Sequence, residues 1–85
     1  MLSAPKEINS SNLQNYSGYV KITGKITFEK DYDEFKSLTL QDNYGKIQVS
    51  CFGCPRLINK SVAITGKIQE YRGKKQILAE LVAEE

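Results

Sequence analysis

The side chains best suited to chemistry are few and of limited kinds. Cys51-Phe52-Gly53-Cys54 is a single C-x-x-C. Structural zinc takes four ligands, but the sequence holds no histidine and no second cysteine pair. A redox C-x-x-C belongs at a helix start in a thioredoxin-like βαβ setting, which the all-strand pattern here lacks. Cys51 is therefore expected to be a buried free thiol, and neither a metal nor a cofactor is expected. Carboxylates gather at Asp31, Asp33 and Glu34 and again at Glu80, Glu84 and Glu85. Metal-dependent hydrolysis needs carboxylates on rigid elements; these sit in a charged loop and at the chain end, where solvation accounts for them. The Gly-Lys pairs at 24–25, 66–67 and 73–74 lack the Gly-x4-Gly-Lys-Ser/Thr pattern of a phosphate loop. With no histidine as general base, the chain reads as a non-enzyme.

Aromatic and basic residues are the remaining candidates. Base stacking needs exposed aromatic faces, and a nucleic-acid backbone needs cations. Tyr32 and Phe35 lie in one charged stretch, and Phe52 follows Lys46 and Gln48. Tyr71, Arg72, Lys74 and Lys75 cluster around Gly73. Against strong phosphate binding stand a net charge of only +2 and the acids that flank Tyr32.

The elements that must carry these residues are strands. From Tyr19, Val20, Ile22, Gly24, Ile26 and Phe28 alternate with polar residues, the period of a half-buried strand. EKDYDEFK (29–36) reads as a loop. Leu38 and Leu40 mark a second strand, DNYG (42–45) a hairpin turn, and Ile47, Val49 and Cys51 a third. After the break at GCPRLINK (53–60), Val62, Ile64, Gly66 and Ile68 form a fourth strand. A turn at 71–74 leads to a fifth, 76–84. There Ile77, Ala79, Leu81 and Ala83 share one face and Leu78 and Val82 the other, so this strand is covered on both sides or its register is open. Asn9, Ser10 and Ser11 suit a helix start, and a short helix at 10–16 with Leu13 and Tyr16 on one side is expected to plug a barrel end. Residues 1–8 read as a flexible lead-in and 9–85 as one domain. No apolar run approaches the ~20 residues of a membrane span, and the N-terminus lacks the apolar core and basic start of a signal peptide.

Five strands, no long crossover and a small core predict an all-β barrel, because closure hides the sheet edges. VKITGKI (20–26) and VAITGKI (62–68) differ at one position. A glycine on the apolar face of a strand marks a bend or a close backbone approach, so this pair is expected to serve barrel geometry rather than a ligand.

The order V-x-I-x-G-K-I, L-x-L-x-D-x-x-G-x-I-x-V, then V-x-I-x-G-K-I-x-x-Y-x-G-K resembles the OB-fold nucleic-acid-binding family across most of the chain. Ile8, Asn9, Leu13, Tyr16, Val20, Gly24 and Lys25 are similar to the start of the smallest subunit of replication protein A. The resemblance implies a five-stranded OB barrel with a short N-terminal helix. It also implies binding of single strands over barrel strands two and three and their flanking loops, through Tyr32, Phe35, Lys46, Gln48, Phe52, Tyr71, Arg72, Lys74 and Lys75. The implied role is a subunit that supports assembly with larger OB-fold partners and makes at most weak contact with single-stranded nucleic acid, DNA more readily than RNA. Such a subunit would act in the nucleus of a eukaryote, and in the cytoplasm otherwise. That family continues into a long C-terminal helix, whereas this chain ends at Glu85. A Ten1-like telomere-capping subunit and a stand-alone OB module that binds DNA or RNA directly are the alternatives.

Overall fold

The computed structural model describes residues 5–85. Its strands are β1 (Lys6–Glu7), β2 (Tyr19–Asp31), β3 (Lys36–Gln41), β4 (Lys46–Cys51), β5 (Ser61–Tyr71) and β6 (Lys74–Glu84). Strands β2 to β6 close a five-stranded barrel in the order β2-β3-β4-β6-β5, with β5 returning to β2. Every contact in the barrel is antiparallel except β4 with β6, which is parallel and joins only Val49 to Ile77 and Ser50 to Leu78.

The two near-identical segments pair with each other. Val20 lies opposite Gly66, Ile22 opposite Ile64, and Gly24 opposite Val62. Each glycine thus faces the valine of the other copy. A Cβ on Gly24 would stand 2.6 Å from the Gln41 carbonyl oxygen and from Leu40 Cδ2; one on Gly66 would stand 2.1 Å from the Leu78 carbonyl oxygen. Both glycines are thus sites of close backbone approach. Gly24 also sits where β2 exchanges partners: Tyr19–Lys25 pair with β5, and Lys25–Asp31 with β3.

Two β-bulges alter the expected strand faces. The β2–β3 register shifts between Ile26 and Phe28, so Phe28 turns outward (57% exposed) instead of joining the core. The β5–β6 register shifts at Thr65/Gly66, leaving Glu80 unmatched. Ile77, Ala79 and Val82 therefore face the core, and Leu81 and Ala83 face out. Bulges bend and coil a strand, which a barrel of this size requires. The core is built from Val20, Ile22, Ile26, Leu38, Leu40, Val49, Val62, Ile64 and Ile77, together with Leu57 from the 52–60 connection.

The expected helix at 10–16 is a single 3-10 turn, Leu13–Asn15. Asn and Ser side chains there compete for the backbone: the Asn12 Oδ1 accepts from the Asn9 N–H (2.9 Å), and the Asn9 Oδ1 accepts from the Ser11 N–H (3.0 Å). Leu13 is still buried, and Tyr16 packs against the core. Of the expected lead-in, residues 1–4 lie outside the described residues. Lys6 and Glu7 pair with Val20 and Lys21, and Ile8 is buried. Asp42 fastens this arm to the β3–β4 turn. Its carboxylate accepts from Ser10 N–H (2.7 Å), Ser10 Oγ (2.6 Å), Tyr44 N–H (2.9 Å) and Gly45 N–H (3.1 Å). Partial burial pushes its pKa up, but these donors outweigh it and hold the carboxyl below its ordinary range.

Gly66→Ala is expected to lower the free energy of unfolding by about 3 kcal/mol, read from urea denaturation, because backbone must move to admit the methyl group. Asp42 contributes stability that is present above its unfolded pKa, near 4, and is lost as pH falls through the lower folded value. The urea midpoint is therefore expected to fall below about pH 4, and Asp42→Asn is expected to remove part of that acid-dependent loss.

Candidate nucleic-acid interface

The turn between β2 and β3 is shorter than the expected 29–36 loop. Asp31 pairs with Lys36, and Tyr32 N–H donates to the Phe35 carbonyl at 2.8 Å, leaving Asp33 and Glu34 at the tip. This closure stacks the Tyr32 and Phe35 rings, with centroids 4.8 Å apart and planes 13° apart. Phe52, just past β4, lies against Phe35 with centroids 5.7 Å apart. Tyr71 stands across from them. Between Tyr32, Phe35 and Tyr71 runs a cleft of about 450 Å³, floored by Ser37, Ser50, Gln69 and Gln76. Four aromatic residues from separate stretches of chain thus meet at one end of the β3–β4 surface.

Cations flank them. Lys30 Nζ lies 5.3 Å from the Tyr32 ring centroid, and the Arg72 guanidinium 5.3 Å from that of Tyr71. Arg72 and Gly73 both adopt positive φ, making a two-residue turn between Tyr71 and Lys74. The acids beside the cleft are partly neutralised. Lys36 Nζ sits 3.4 Å from Glu29 and 3.6 Å from Asp31. The Leu57 N–H (2.8 Å to Oε1) holds the Glu29 pKa down; burial opposes this, and Lys36 and Arg56 lower the pKa further.

Phe28 extends this surface, although its strand alternation had assigned it to the core. It is paired with Thr39, and Thr39 with Gln48, so the three form one row across the outer face. Gln48 Nε2 donates to Thr39 Oγ1 (3.2 Å), and Ser37 Oγ donates to Gln48 Oε1 (3.4 Å). Only the length of β2, which calls for a bulge, hints at this in the sequence.

The remaining candidates lie in a smaller groove of about 370 Å³, where Lys46, Gln48, Lys74 and Lys75 surround Gln76 and the 3-10 turn. Gln76 lines both depressions. Lys75 donates to the carbonyls of Gln14 (2.9 Å) and Tyr16 (2.8 Å), fastening the N-terminal turn to β6. A larger open trough of about 600 Å³ lies near Gly24 and the β3–β4 turn. It contains no aromatic side chain and carries the carboxylates of Asp42 and Glu85, so it lacks the elements for stacking.

Cys51 is buried as expected, but it is not a free thiol. Gly53, at φ 71°, turns the chain so that the Cα atoms of Cys51 and Cys54 are 5.8 Å apart, and the two sulfurs form a disulfide. Among the described residues no cluster of three or more His, Cys, Asp or Glu side chains is placed to hold a metal ion.

No family model and no curated protein sequence matches the chain. Its fold is nonetheless shared with solved structures. A chain of a replication protein A heterotrimer bound to ssDNA superposes with a TM-score of 0.72 at 14% identity, covering 79% of this chain. A chain of the S. pombe Stn1-ten1 complex gives 0.69 at 20% identity over 79%. Asparaginyl-tRNA synthetase from Pyrococcus horikoshii gives 0.78 at 13% identity over 95%. This chain spans 57%, 57% and 23% of those three chains. At such identities the likeness is one of fold: the closed five-stranded barrel is an OB fold.

Lys75→Ala is expected to cost about 2 kcal/mol of stability, because two charge-assisted hydrogen bonds are lost, and to leave affinity for an oligonucleotide nearly unchanged. Chemical denaturation and a binding titration on the same sample check both halves.

Proposed function

We propose that this protein is a non-catalytic OB-fold module that takes hold of single-stranded nucleic acid, DNA more readily than RNA, in the Tyr32–Tyr71 cleft. It does so weakly, as one subunit of a complex whose larger OB-fold members hold most of the strand; in a eukaryote that complex would be nuclear. The observation that carries this reading is the aromatic group itself. The Tyr32–Phe35 stack and Tyr71 border one cleft at the end of the β3–β4 surface, Phe52 packs behind Phe35, and Lys30 and Arg72 lie over the outer rings. Exposed rings offer stacking surfaces to unpaired bases of any sequence, and the flanking cations meet the backbone. A duplex buries its base faces and cannot use such rings.

Weak affinity follows from charge. The net charge is +2, and Asp33 and Glu34 stay at the tip of the turn beside the cleft. The fold neighbours support a role within an assembly, since two of them come from a replication protein A heterotrimer bound to ssDNA and from the Stn1-ten1 complex. A second reading, an assembly subunit with little nucleic-acid contact, is favoured by the apolar outer surface of β6, where Leu81 is 64% exposed.

A fluorescently labelled oligothymidine titrated at low salt tests this. Phe52→Ala and Phe28→Ala are each expected to weaken binding by about tenfold, the size of one lost stacking contact. With Lys30 and Arg72 in reach of the backbone, log K against log salt is expected to slope about −1.4. Absence of binding at low salt, together with co-purification of larger OB-fold subunits, would instead establish the second reading.

A further inference from the structure

Strand β6 is unevenly paired. It runs beside β5 for its whole length but meets β4 only at Ile77 and Leu78. From Glu80 to Glu84 its second edge has no partner strand among the described residues. The phase of this edge follows from one bond: Glu85 N–H donates to the Ser61 carbonyl at 2.9 Å. Alternation along an antiparallel ladder then turns Leu81 and Ala83 toward β5. Val82 and Glu84 direct their N–H and C=O groups to the open side, where no backbone group of the described residues receives them.

The side chains along this edge have a definite chemistry. Leu81 and Ala83 are exposed on the outer face, beside Thr65 and Ala63 of β5. The charges are all acidic: Glu80, Glu84 and Glu85, of which Glu84 is paired with Lys60 at 2.7 Å. A bulge and like charges are devices that keep an edge from joining its own copy. A second β6 laid against this one would double the carboxylates along a single edge. A basic strand would neutralise them.

We propose that the Glu80–Glu84 edge of β6 receives an extended, basic segment of a partner protein by strand addition. Its apolar side chains would lie beside Leu81 and Ala83 on the outer face and its Lys or Arg residues beside Glu84 on the other, while its backbone would pair with Val82 and Glu84. This inference rests on the assembly part of the proposed function and is independent of the cleft, which lies on the β3–β4 surface.

Two short synthetic peptides test it against the isotope-labelled chain, one alternating Val and Lys and the other Val and Glu. The Val–Lys peptide is expected to slow amide exchange at Val82 and Glu84 by about tenfold or more. The Val–Glu peptide is expected to leave both amides unchanged. Glu84→Pro removes an N–H that faces the open side, a substitution an edge strand tolerates. It is expected to weaken the Val–Lys peptide by about tenfold, and Glu84→Gln by less, while oligonucleotide affinity stays the same for both. Unchanged exchange at Val82 and Glu84 at millimolar Val–Lys peptide would overturn the proposal. So would equal binding of the two peptides, or equal binding to Glu84→Pro. None of these results would touch the cleft titration, so failure here and failure of the nucleic-acid reading are separable.

Discussion

The barrel depends on two backbones passing closer than side chains permit. Gly24 and Gly66 leave room for the Gln41 and Leu78 carbonyls, and each lies opposite a valine of the other repeated segment. Around the central Ile22–Ile64 pair the two segments are related by a local two-fold rotation, so one sequence solves the same packing problem on both strands. The repeat is therefore a self-complementary pair in the barrel wall. It is silent about ligand because its valines and isoleucines face the core.

From this pairing the two candidate surfaces follow. Because β2 leaves β5 at Gly24, its second half is free to line β3, and the bulge after Ile26 turns Phe28 outward onto the same face as Thr39 and Gln48. The same strand then delivers Tyr32 to its stack with Phe35. On the other side of the barrel the bulge at Glu80 turns Leu81 out. Two faces of different chemistry result. One is aromatic with scattered cations and suits unpaired bases. The other is an acidic and apolar strand edge that suits a protein segment.

Alternation in the sequence was enough to place all five barrel strands, and the Asp-Asn-Tyr-Gly run to place the β3–β4 turn. Its failures have distinct local causes. A bulge changes the phase of a strand without changing its composition, so Phe28 looked buried and the core-facing side of the last strand stayed open between two faces. The 53–60 connection looked like a plain loop, yet Leu57 belongs to the core and its N–H holds Glu29. The helix at 10–16 shrank to one turn because asparagine and serine satisfied the backbone locally. Lys75 matched the composition of a binding loop, but two of its three donors are taken by the carbonyls of Gln14 and Tyr16. The Cys51–Cys54 bridge depends on the turn at Gly53, a conformation that residue spacing does not specify.

The central claim is that the aromatic end of the β3–β4 surface is where a single strand is held. Amide chemical shifts of the isotope-labelled chain, followed as a short oligothymidine is added, test it most directly. The account predicts that the largest changes gather at Phe28, Tyr32, Phe35, Ser37, Ser50 and Tyr71, with β6 beyond Leu78 unaffected. Changes centred instead on Lys6, Lys21 and Lys67, or spread evenly over all lysines, would contradict it.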